Sequence, residues 1–156
     1  MHPTHIPLRV ATGAYILNSG VGKLRADEGT AEFLHGAGAG TYPGLFKDMK
    51  PRTFARLLAY SEMAVGAALL APVVPATFAG AALTGFGASL MGMYLRTPSM
   101  TLEDGIRPSQ EGTAVAKDVW LVGAGLTLLS QGLAWGAKSA GKAVGKGIRD
   151  AAPFAH

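Results

Sequence analysis

Apolar and small residues fill four long stretches of the chain, and the charges gather between them. Residues 6–22 read IPLRVATGAYILNSGVG, with Arg9 near the start. Residues 54–71 read FARLLAYSEMAVGAALLA, with the acid Glu62 inside. Residues 74–95, VPATFAGAALTGFGASLMGMYL, carry no charge at all. Residues 118–136 read DVWLVGAGLTLLSQGLAWG, with Asp118 at the edge. A helix crosses a bilayer with roughly 17–25 mainly apolar residues. The pattern therefore predicts an all-α, integral membrane four-helix bundle. Strands of a membrane barrel are shorter and alternate strictly, and no such alternation runs here. A soluble bundle needs a polar face on each helix, and the third stretch has none.

Punctuation divides the chain in the same places. Pro51 stands just before the second stretch, where a helix start tolerates proline. Pro72 and Pro75 leave room only for a tight turn, which predicts an antiparallel hairpin of the second and third helices. The connection between the first two stretches holds ADEGTAEFLHG, read as a short surface helix, then a flexible GAGAG run and a YPG turn. Between the third and fourth stretches, Thr101 and Asp104 would cap one short helical turn that Pro108 ends. The first stretch lacks a convincing signal-peptide cleavage site around Asn18, Ser19 and Lys23, so it is read as a helix of the mature protein.

Composition narrows the class further. Hydrophobic residues make up 49% and charged residues 15% of 156, with a mean hydropathy of +0.26. Disordered chains are polar and highly charged, so disorder is excluded. There is no cysteine, which excludes disulfides, thiolate metal sites and a thiol nucleophile. Small residues recur every four positions at Gly80, Thr84, Ala88 and Gly92, a stripe suited to close helix packing in lipid. Gly85-x-Gly87 and Gly123-x-Gly125 lie inside apolar helices with no preceding strand, so neither reads as a nucleotide fingerprint. No Lys-Ser/Thr follows the GAGAG run, so it is no P-loop either.

Glu62 is the residue most open to a chemical role. It lies about eight residues into its stretch, roughly 12 Å at 1.5 Å per residue, near mid-bilayer. An acid at that depth must be neutral, paired or facing water. Depth counting places Tyr15, Thr84 and the segment 123–126 beside it, with Asn18 about one turn away. Tyr15, Asn18, Thr84 and Glu62 thus form the expected intramembrane polar site, serving either as a proton or ligand site or as a hydrogen-bonded brace. Ser130 and Gln131 are read as interhelical hydrogen-bonding groups. His2, His5, His35 and His156 are scattered, so no metal site is expected, and no serine–histidine–acid constellation points to catalysis.

The tail after residue 136 has its own character and is set apart as a basic segment, 137–156, beside the membrane domain, 1–136. Lys138, Lys142, Lys146 and Arg149 share one helical face, as expected for contact with anionic lipid headgroups. No nucleic-acid module is present. With four crossings, the long loops would share nine Lys/Arg and eight acids. Counted by bases alone, the positive-inside rule puts the two long loops in the cytoplasm. The acids of those loops and the concentrated basic face of the tail, suited to the anionic cytoplasmic leaflet, favour cytoplasmic termini instead.

Three local patterns together resemble the DoxX-like family of small bacterial membrane proteins. They are Arg9-x3-Gly13-x3-Leu17-x2-Gly20-x2-Lys23, then Glu62 before Gly66 and Leu70, then Lys117-Asp118-Val-Trp120-Leu-Val-Gly123. The stretch from Tyr94 to Trp120 is similar to an actinobacterial branch. The resemblance implies a multi-pass protein of the bacterial plasma membrane with four helices. It further implies a non-catalytic accessory or anchor subunit of a quinone- or thiol-linked redox complex. Such a subunit binds no cofactor covalently, lies close to quinone, and contacts lipids and either another membrane protein or a second copy. The other reading is a small transporter or lipid- or quinone-binding protein with Glu62 in its cavity.

Overall fold

The computed structural model describes residues 3–151, which are helical apart from loops and one isolated antiparallel bridge. The helices are α1 (Ile6–Lys23), α2 (Glu28–Thr41), α3 (Pro43–Phe46), α4 (Pro51–Leu70), α5 (Ala76–Arg96), α6 (Thr113–Ala116) and α7 (Val119–Ala151). Among the described residues, three helices are long and apolar enough to cross a membrane. They are α4, α5 and the stretch Thr113–Val144 that takes in most of α7. The fourth expected span, α1, has 18 residues, but Arg9, Thr12, Asn18, Ser19 and Lys23 lower its hydropathy. Composition alone therefore gives three crossings where the sequence pattern suggested four.

Two antiparallel helix pairs build the bundle. α1 packs along α4, α5 packs along α7, and the consecutive helices α4 and α5 touch less. The buried seam of α1 is Arg9, Gly13, Ile16 and Gly20. The seam of α4 facing it is Ala55, Ala59, Glu62, Gly66 and Leu69. Steps of four and three residues are those of a left-handed coiled-coil seam. Small residues bring the backbones together. A Cβ on Gly66 would stand 2.8 Å from the Leu17 nitrogen and 2.9 Å from the Gly13 oxygen. In the other pair, a Cβ on Gly125 would meet the Thr84 nitrogen at 2.6 Å. Close backbone approach of this kind substitutes in lipid for the hydrophobic effect. Of the expected stripe on α5, Gly80 and Thr84 face α7 in this way, whereas Ala88 is exposed.

Ile16, Leu69, Ala79, Leu83, Leu121 and Leu128 form the central core. A second core of Ala37, Leu90, Met93, Tyr94 and Met100 lies toward the end of the bundle covered by the two long connections.

Those connections differ from the sequence expectation. α2 does not stop before the GAGAG run but continues through it to Thr41. Of its glycines, Gly38 packs against the Phe54 ring, whereas a Cβ on Gly36 or Gly40 would meet only open space. The Asp27 side chain accepts from the Thr30 amide at 2.7 Å and caps the start of α2. Residues 101–108 form a hairpin turn rather than the helical turn expected from Thr101 and Asp104. Thr101 bridges Pro108, the Leu102 amide donates to the Arg107 carbonyl at 2.8 Å, and Gly105 takes a positive φ of 68°. Only glycine enters that region without strain.

The Asp104 carboxylate holds the turn by accepting from the amides of Ile106 and Arg107 at 3.0 and 2.9 Å, and from the Arg107 guanidinium. These bonds, the Arg107 side chain first, bring its pKa down from 3.8 to about 2. A lowered carboxyl pKa contributes stability that is complete above the unfolded value and is lost as pH falls through the folded one. The turn should therefore keep its form at pH 4 and loosen as pH drops through about 2. A carboxyl carbon NMR titration should give an Asp104 midpoint far below that of an ordinary aspartate; a midpoint near 4 would contradict the bonding described.

At the other end, α7 continues without a break past Gly136 to Ala151, 33 residues in all, or about 50 Å of helix. Isolated helical glycines cost only about 1 kcal/mol each relative to alanine. Lys138, Lys142 and Lys146 are exposed along this extension. The side chain of Arg149, like His2 and His156, lies outside the described residues.

Candidate functional site

Glu62 lies on the α4 seam that faces α1 and is 3% exposed. Its partner is Lys23, the last residue of α1, whose Nζ stands 2.9 Å from Oε1 and donates to Oε2 at 3.0 Å. The same Nζ donates to the Ser19 hydroxyl at 2.8 Å. Ser19 and Lys23 are one helical turn apart, so both point along the same side of α1. The lysine stem thus runs back from the helix end, and its ammonium enters the bundle. Lys23 keeps a quarter of its side chain accessible. It also borders a small polar pocket shared with Arg52 and Arg56. The ion pair is therefore buried on its acidic side and reached from the loop end on its basic side.

The other expected site residues are placed differently. Tyr15 lies within electrostatic reach of Glu62 and Asp118, but its ring packs edge-on against Trp120, with centroids 5.4 Å apart. Thr84 donates to the Gly80 carbonyl at 2.8 Å, within its own helix. Asn18 faces outward. Asp118 instead joins the electrostatic neighbourhood, within reach of both Lys23 and Glu62. The polar group assembled here is thus Glu62, Lys23 and Ser19, with Asp118 and Tyr15 around it. Ser130 donates to the Thr127 carbonyl in its own turn, and Gln131 is exposed, so the interhelical bonds expected of them are not made.

A second polar centre, which sequence reasoning did not single out, stands at the opposite end of α1. Arg9 is 1% exposed. Its Nε donates to the Leu69 carbonyl at 2.7 Å, and its Nη2 donates to Ala68 and Ala71 at 2.9 Å each. Its Nη1 donates to Val74 in the following turn, at 2.9 Å. The last carbonyls of a helix have no partner within it, and they carry the negative end of its dipole. Arg9 satisfies two of them, Ala68 and Leu69, together with the carbonyls of Ala71 and Val74 in the turn, using the planar fork that lysine lacks. Pro7 does not interrupt α1 because it falls in the first turn, where its missing N–H is not needed.

The two centres have different chemical capacities. Arg9 has committed its donors to carbonyls and acts as a brace. The Lys23–Glu62 pair can brace as well, and it can also exchange a proton, because Lys23 reaches solvent. Among the described residues no three His, Cys, Asp or Glu side chains gather as metal ligands. Compared with protein-family models, curated proteins and solved structures, the chain gives no match.

Proposed function

We propose that this chain is a four-crossing protein of the bacterial plasma membrane, of the DoxX-like kind, serving as a non-catalytic accessory or anchor subunit of a quinone- or thiol-linked redox complex. Its termini face the cytoplasm. The fourth crossing is α1. Arg9 meets the end of α4, while Gly20 packs at the level of Ala59 and Glu62. An α4 that crosses the bilayer therefore carries α1 most of the way with it.

The observation that supports a structural role is that the intramembrane ionic groups are spent inside the bundle. Arg9 is bound to four carbonyls, and Glu62 has both oxygens on Lys23. A transporter working through Glu62 would need that carboxylate to meet water or cargo. Meanwhile Leu126, Leu133 and Trp135 of α7 remain exposed, and they offer lipid or a neighbouring subunit an apolar face. The second reading, a small transporter or binding protein with Glu62 as its proton site, draws on the access to Lys23 from the loop end. Purification from the native membrane in mild detergent, followed by mass spectrometry, should recover a stoichiometric membrane redox protein. Recovery of the chain alone, together with proton-coupled uptake that Glu62→Gln abolishes, would replace the first reading with the second.

A further inference from the structure

Between α2, α3, α4 and α5, at the loop end of the bundle, lies a half-open pocket of about 410 Å³. This is within the range of small-ligand pockets, roughly 300–1,000 Å³. Its wall includes Tyr42, Phe46, Phe54, Leu58, Phe86 and Met93. Phe46 stacks edge-on with both Phe54 and Tyr42, at 5.0 and 6.3 Å between centroids, so the aromatic wall is held from both sides. The pocket runs from the α3 turn at the helix ends down to Ser61 and Phe86, well inside the lengths of α4 and α5.

Its polar groups decide what it accepts. The Ser61 hydroxyl donates to Leu58 at 2.8 Å, and that of Ser89 donates to Phe86 at 2.7 Å. The Tyr42 hydroxyl donates to the Ser89 carbonyl at 3.2 Å. Each hydroxyl proton is thus committed to a backbone oxygen. A quinone head carries two carbonyls that need donors, and leaving buried polar groups without partners is costly. An alkyl chain makes no such demand. At the mouth, Arg96 reaches the Thr41 carbonyl beside Tyr42, at 3.4 Å. Lys47 follows Phe46 directly, and Lys50 precedes α4; all three cations are exposed, against the acids Asp48 and Glu103, the latter in a surface cleft shared with Arg96. An apolar slot beneath a net positive rim is complementary to an amphiphile with a negative head.

We infer that this pocket holds one acyl chain of an anionic phospholipid, with the lipid phosphate at Lys47 and Arg96. This rests on the membrane location alone and not on the redox-complex reading, so either can fail without the other. The full chain would be reconstituted in nanodiscs of phosphatidylglycerol or phosphatidylcholine, and retained lipid counted by native mass spectrometry. One phosphatidylglycerol should be retained, with a preference over phosphatidylcholine of roughly tenfold or more, the scale set by two cations near an anionic head. Lys47→Gln with Arg96→Gln should remove the preference but keep a bound chain. Ser61→Phe should fill the slot and lose the lipid, with helicity checked by circular dichroism for each variant. A photoactivatable acyl chain should crosslink to α4 and α5 at the pocket wall. Equal retention of the two lipids, full retention by folded Ser61→Phe, or displacement of the lipid by decylubiquinone at lower concentration would each overturn the inference.

Discussion

Replacing Arg9 by methionine should destabilise the protein by about 3–5 kcal/mol, the scale of removing one side of a buried charged interaction. The substitution keeps much of the stem volume but strands the carbonyls of Ala68, Leu69 and Val74, leaving Ala71 with only the Val74 amide at 3.2 Å. Near the membrane, water is a poor substitute partner for such groups. Arg9→Lys should recover only part of the loss, because one ammonium cannot satisfy carbonyls spread over a helix end and a turn. The check is thermal unfolding in a fixed detergent. A methionine variant within about 1 kcal/mol of the parent, within the usual surface range, would show that the clamp contributes little.

The second large effect belongs to Lys23 and Glu62. Glu62→Leu should cost less than the loss of its partner, about 1–3 kcal/mol, because the Lys23 ammonium is a quarter accessible and can turn toward the loop end once its counter-charge is gone. Lys23→Met should cost about 3–5 kcal/mol, because it strands the carboxylate on the buried side of the pair. The double variant Lys23→Met/Glu62→Leu should recover most of the loss, since replacing both members of a buried pair by apolar groups is often close to neutral. Glu62→Gln should fall between, keeping shape and one acceptor but losing the charge that shortens and strengthens the bond. If the double variant is as unstable as the sum of the singles, the two residues are not coupled.

Much of this was legible before any coordinates. Charge-poor stretches marked α4, α5 and α7, because lipid admits few charges and a helix must be long enough to cross. Glu62 stood out as an acid at depth, and its inward position follows from the cost of facing lipid. Its partner was not read from the sequence, because Lys23 at the end of α1 was counted among loop charges. The signal was present in the spacing. Arg9, Gly13, Ile16, Gly20 and Lys23 fall at steps of four, three, four and three, which is the seam that α1 presents to α4. Depth counting ignored that seam and so proposed Tyr15 and Asn18, which lie on other faces of the same helix. The α2 run through GAGAG was missed for a different reason. Glycine's low helix propensity outweighed, in the sequence reading, the tertiary contact with Phe54 that requires a small residue at Gly38. Arg9 escaped notice as a functional group because a lone arginine near a span end ordinarily reads as an orientation signal. Only the fold brings it to the end of α4.

The central claim is that α1 crosses the membrane antiparallel to α4, locked by Arg9 at one end and Lys23 at the other. The native sequence has no cysteine, so single cysteines at Thr4, Lys47, Val73 and Glu103 can be labelled without background. In sealed vesicles with a membrane-impermeant thiol reagent, positions 4 and 73 should react from one face, and positions 47 and 103 only from the opposite face. Labelling of position 4 from the same face as position 47 would put α1 on the membrane surface and contradict the account.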